Sequence, residues 1–97
     1  YLNAYFEKAK LYKSLSNIDK SIEYLNEILE IDNSYYKAYE LLIDIEVNRN
    51  NLDQAIIYGN KAIVSSPDAY TILARMSAVY NEKQMYQAHL FPNTNFP

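Results

Sequence analysis

The sequence predicts an all-α fold, an α-α superhelix built from antiparallel helix pairs. Residues 1–67 repeat at a spacing of 34: Tyr1, Ala4, Tyr5, Asn17, Asp19, Ile22, Tyr24 and Asn26 recur unchanged at Tyr35, Ala38, Tyr39, Asn51, Asp53, Ile56, Tyr58 and Asn60. A fixed period of this size marks stacked helical units that share one core. Within each unit the apolar residues follow helical spacing. Finally, a single Gly and three Pro among 97 residues leave few turn formers for a β fold.

The first helix is expected over residues 2–15, with Tyr5, Ala9, Tyr12 and Leu15 on one stripe. Ser16-Asn17 breaks it. Asn17 suits a helix cap, and Asp19 falls in the following first turn, where the helix dipole favours negative charge. The second helix, 18–31, turns Ile18, Ser21, Ile22, Leu25, Ile28 and Leu29 inward. Asp32-Asn33-Ser34 closes the unit, with Ser34 as a cap for the third helix.

The next unit repeats the plan. A helix over 36–49 carries Tyr39, Leu42, Ile43 and Val47, Asn50-Asn51 turns with Asn51 capping, and a helix over 52–64 buries Ala55, Ile56, Gly59, Ala62 and Ile63. Gly59 costs about 1 kcal/mol against Ala inside a helix, so its presence points to a close approach by a neighbouring helix. Ser65-Ser66-Pro67-Asp68 stops the unit and restarts the next, with Pro67 suited to a first turn and Ser66 to a cap.

A third unit opens with a helix over 69–83 whose buried side is expected to hold Tyr70, Leu73, Met76, Ser77 and Tyr80. A partner helix has a possible start near Met85, but Pro92 limits it to about residue 91. The expected organisation is a repeat domain over 1–91, with units 1–34, 35–68 and 69–91, and an extended tail over 92–97. Five of the eleven tyrosines are expected in inter-helix slots (Tyr5, Tyr12, Tyr39, Tyr70, Tyr80), while Tyr24, Tyr35, Tyr36 and Tyr58 are expected near the surface or at helix ends.

Composition narrows the function classes. A net charge of −3 argues against a nucleic-acid partner. Without cysteine there is no disulfide framework and no thiolate chemistry, which favours a cytoplasmic setting. No apolar run reaches the ~20 residues of a membrane span, so membrane insertion is not expected. Starting at Tyr1 rather than Met, the sequence reads as a piece of a longer protein.

These residues carry a family resemblance. The chain resembles tetratricopeptide repeats (TPR), helix-turn-helix units of 34 residues, over about two and a half units. Tyr5, Ala9, Tyr12, Ile18, Ser21, Leu25 and Ile28 stand in the slots that the family fills with aromatic and small residues, and the second unit matches the family's pattern with Tyr39, Leu42, Leu52, Ala55, Ile56, Ala62 and the closing Pro67. Lys8, Asn33, Ile43 and His89 depart from that pattern, Ile43 by standing where a small residue is usual. The resemblance implies a right-handed superhelix that binds a peptide segment or protein surface in a groove lined by the first helix of each pair. Groove candidates on this chain are Phe6, Lys10, Lys13, Lys37, Glu40, Leu41, Asp44 and Arg75, with Asn3, Asn48, Ala74, Ala78 and Glu82 beside them.

Members that clamp the C-terminal carboxylate of a chaperone read it with Lys, Asn, Asn, Lys and Arg. Here those places hold Phe6, Lys10, Leu41, Thr71 and Arg75, and only Arg75 fits. A carboxylate needs several converging donors, so that clamp is disfavoured. No enzyme or cofactor is expected: His89 is the single histidine, without partners at metal spacing, and no Gly-rich loop cradles phosphate. The alternative function is assembly. Without a capping helix, Leu73, Met76, Tyr80 and Tyr86 would be partly bare, and self-association through the C-terminal end would cover them.

Overall fold

The computed structural model describes residues 1–90; the expected tail over 92–97 lies outside the described residues. Its elements are α1 (Leu2–Ser14), α2 (Ile18–Ile31), α3 (Tyr36–Asn48), α4 (Leu52–Ser65) and α5 (Tyr70–Leu90). The fold is the all-α array of helix pairs that the period implies, with no strand among the described residues.

Both intra-unit turns use one device. Asn17 N–H donates to Tyr12 C=O at 2.8 Å and Ser16 N–H to Lys13 C=O at 3.0 Å. One period later, Asn51 N–H donates to Glu46 C=O at 2.8 Å and Asn50 N–H to Val47 C=O at 3.0 Å. This is the Schellman closure, which needs a left-handed residue, and Ser16 (φ 63°) and Asn50 (φ 64°) supply it. Neither is Gly. Asn tolerates that region better than Ser does. Ser16→Gly should therefore stabilise the chain by about 1 kcal/mol, and Asn50→Gly by less, as read by thermal unfolding.

Capping follows the expectation at one place and departs from it at three. The Asn17 side chain accepts the Lys20 N–H at 3.3 Å. Asn51 makes no such bond; its amide donates to Glu46 Oε1 at 3.3 Å instead. Ser34 does not cap α3. Asp32 Oδ1 accepts both its N–H (3.0 Å) and its hydroxyl (2.6 Å), which lowers the Asp32 pKa. Ser66 donates to Ser34 C=O at 3.0 Å, joining the two inter-unit loops, and Pro67 lies in the turn before α5 rather than in its first helical turn.

Two clusters form the core. Ala9, Leu25, Ile28, Ala38, Leu42 and Ile45 join units one and two. Tyr39, Ile43, Ala55, Ala62, Ile72, Met76 and Val79 join units two and three. Helix α3 feeds both, so it is buried on two faces and sits at the centre of the array. Small residues set the crossings. Ser21 donates to Ala9 C=O at 2.8 Å inside unit one, and one period on the same pair of slots holds Ala55 and Ile43. Volume lost on one helix is regained on the other. Gly59 marks a close approach, as its sequence implies: a Cβ there would overlap the Met76 sulfur and lie 2.9 Å from its Cγ and Cε.

The stripe expectations hold in the interior and fail at the ends. Leu15 is 65% exposed. Tyr24, expected near the surface, stacks on Tyr12 at 5.6 Å and packs within 5.9 Å of Tyr5. The larger difference is α5. It runs unbroken through Gln84 and Met85, where units one and two turn. Gln84-Met85 occupies the slots of Ser16-Asn17 and Asn50-Asn51. Gln is a good helix former without the left-handed tolerance of Asn, and Met cannot cap a new helix. Lys83 Nζ also reaches Asp53 Oδ1 at 2.7 Å, holding this stretch to the start of α4. Consequently Tyr70, Leu73 and Tyr80, expected to be buried, are exposed; only Met76 of the apolar set is covered. No described helix is long and apolar enough to cross a membrane.

Candidate binding groove

Helices α1, α3 and α5 are the first members of their units, and they carry every groove candidate. On α1, Phe6, Lys10 and Lys13 share one stripe. Phe6 is half-buried, with its ring 6.0 Å from that of Tyr35. Lys10 Nζ lies 3.0 Å from Glu7 Oε1 and 5.2 Å from the Phe6 ring centre. On α3, Leu41 is half-buried between Glu40 and Asp44, and Lys37 is exposed near the helix start. Lys13 and Lys37 form no ion pair among the described residues.

The structure draws three of the candidates into one cluster. Arg75 Nε donates to Asp44 Oδ1 at 3.0 Å and Nη2 to Asp44 Oδ2 at 3.3 Å, while Nη1 donates to Glu40 Oε2 at 3.0 Å. This two-pronged grip on Asp44 raises the Arg75 pKa, against the effect of partial burial. A cavity of about 110 Å³ opens beside it, floored by Ile43, Val47, Ala78 and Val79 and edged by Glu82. The cluster ties α3 to α5. Its signal in sequence is spacing: 31 and 35 residues separate Arg75 from Asp44 and Glu40, which places them beside one another in an array stacked at 34.

One polar feature escaped sequence reasoning. Glu46 is buried, held by the Asn51 amide and by Arg49 at 3.5 Å. It stands in the slot of Tyr12 and Tyr80, so its charge breaks an aromatic pattern. Burial, with the Glu46 charge adding to it, raises the Tyr58 pKa.

The flank of α5 is the second surface of note. Tyr39 is 7% exposed beneath α4, whereas Leu73, one period later, is 41% exposed and Tyr80 is 47% exposed. Beyond them, Tyr86 and Leu90 face Leu52 across a cleft of about 300 Å³.

A family model described as Tetratricopeptide repeat matches residues 2–35, the whole of the first unit. The TOM70 mitochondrial import receptor subunits of Rattus norvegicus and Mus musculus are each 45% identical over 47 residues, or 48% of this chain. That of Homo sapiens is 43% identical over the same length. The chain spans about 8% of the length of these relatives. The matched first unit, its repetition at 34 residues and the stacked helix pairs agree with one another: residues 2–35 match a tetratricopeptide repeat, and the fold is a helical repeat of that kind.

Proposed function

We propose that the chain is a protein-interaction scaffold that holds a peptide segment or protein surface against α1 and the N-terminal half of α3. The observation that carries this reading is the state of the charges. Lys13 and Lys37 are unpaired among the described residues and flank the half-buried Phe6 and Leu41, whereas Glu40, Asp44 and Arg75 satisfy one another. An apolar strip rimmed by uncommitted cations is suited to an anchored segment bearing carboxylates. The TOM70 relatives are named import receptor subunits, and holding another protein agrees with a receptor-type scaffold. The role is binding rather than catalysis, and the cysteine-free sequence suits the cytoplasm.

The test is fluorescence anisotropy with labelled short peptides that share a leucine anchor and differ in charge. The acidic peptide should bind best. The Lys13→Glu, Lys37→Glu double variant should lose roughly tenfold in affinity for it. Equal binding by the double variant would sink the groove reading. A second reading is assembly through the α5 flank, favoured by the exposed Leu73, Tyr80 and Tyr86. The same variant separates the two, since association through that flank does not involve Lys13 or Lys37.

A further inference from the structure

Arg75 is the groove candidate on α5, and its guanidinium is already engaged by two carboxylates of α3. We propose that Glu40 and Asp44 form a latch: they act as a built-in competitor for Arg75, bridging α3 and α5 and masking Arg75 from an acidic segment. The inference rests on the groove reading and names its regulation.

The geometry has the properties a latch requires. Asp44 takes the Nε and Nη2 edge in the fork arrangement that a ligand carboxylate would use, at 3.0 and 3.3 Å, and Glu40 takes Nη1 at 3.0 Å. Two negative charges face one positive charge, so the closed cluster repels a further carboxylate. Glu82, at the edge of the same cavity, adds to that field. The latch is accessible. The Arg75 and Asp44 side chains are 36% and 40% exposed, so the pair is screened by water and exchangeable, unlike a buried ion pair. Its partners come from different units, so it opens without breaking any helix, while the buried Ile43, Met76 and Val79 keep α5 packed on α3.

Opening works by substitution. A carboxylate of the bound segment replaces Asp44 on the Nε and Nη2 edge, and Asp44 turns to water. Because one fork replaces another, the net gain is small unless the segment is also anchored on the Phe6 and Leu41 strip. The latch therefore favours segments that present both an apolar anchor and a carboxylate.

The experiment compares four proteins with the acidic leucine-anchored peptide by anisotropy: the unaltered chain, Glu40→Gln with Asp44→Asn, Arg75→Ala, and all three changes together. The latch predicts that the Gln/Asn pair binds the peptide roughly tenfold more tightly than the unaltered chain, from an Arg75 freed of competitors. In the Arg75→Ala background that gain should fall to the small effect of removing two negative charges. An equal gain with and without Arg75, or no gain in either, overturns the latch and leaves the groove reading standing. No binding by any of the four overturns the groove reading and the latch with it. Should the Gln/Asn pair fail to fold, NMR of the unaltered chain decides: the Arg75 side-chain resonances should shift when the acidic peptide is added. Arg75 side-chain resonances unmoved at saturating peptide contradict the latch.

Discussion

Leu42→Ala should lower the stability of the chain by about 3 kcal/mol, read as a shift of the urea midpoint followed by far-UV circular dichroism. Leu42 is fully buried among Ala9, Leu25, Ile28, Ala38 and Ile45. Truncation removes the transfer free energy of its lost methyl and methine groups and leaves a cavity between stacked units. The neighbours that could collapse into that cavity are fixed by their own helices, so relaxation is limited. Against the 5–15 kcal/mol typical of a whole domain, a loss of this size is large. The residue is also placed where the loss spreads. Helix α3 presents Ala38, Leu42 and Ile45 to unit one and Tyr39 and Ile43 to unit three, so loosening it weakens both interfaces. A loss below about 1 kcal/mol would mean that α3 is not the buried centre of the array.

Gly59 gives the other large effect, and its sign depends on one neighbour. In an open helix Gly→Ala stabilises by about 1 kcal/mol. Here the added Cβ would overlap the Met76 side chain, which is itself buried beside Ala55, Ala62 and Val79. Met is flexible and can move aside, but only into a packed core, at a cost of about 1–3 kcal/mol. Gly59→Ala should therefore destabilise the otherwise unaltered chain by about 1–2 kcal/mol net. In a Met76→Ala background the space is free, and the same substitution should stabilise by about 1 kcal/mol. Thermal unfolding of the four proteins of this cycle reads the reversal. The same sign in both backgrounds would show that Gly59 is not a crossing point of α4 and α5.

How far the sequence reveals this molecule depends on whether a feature is periodic. The helix pairs of units one and two were legible because Tyr5, Ile22 and Asn17 recur one period on, and repetition filters out local accident. Gly59 was legible because a glycine inside a helix calls for a spatial reason. The Schellman turns were only half legible. Ser16 and Asn50 are poor signals for a left-handed residue that is usually Gly, and the actual partner carbonyls emerge only from geometry. Asn51 misled for a similar reason: the same residue that caps α2 at position 17 is diverted at position 51 by Glu46, which replaces an aromatic residue. The straight run of α5 rests on an absence, since Gln84 and Met85 provide neither a turn nor a cap, and periodicity draws the eye past a missing signal.

The groove divides along the same line. The candidate residues on α1, α3 and α5 follow from slot position. What slot position does not carry is which charges have already found each other. Arg75 reads in sequence as a free cation and Asp44 as a free anion, yet they stand 31 residues apart and meet across a unit boundary. Lys10 is likewise committed to Glu7 within its own helix. On the proposed groove reading, the charges left to meet a partner after stacking are chiefly Lys13 and Lys37, not the formal charge of the face.

Whether the first-helix face of α1 and α3 takes the ligand is open to backbone chemical-shift mapping, with the isotopically labelled chain titrated by the acidic leucine-anchored peptide. The largest shifts should cluster at Phe6, Lys10, Lys13, Lys37 and Leu41, with a smaller set at Arg75. Shifts concentrated instead at Leu73, Tyr80 and Tyr86, on the open flank of α5, would contradict binding in the groove.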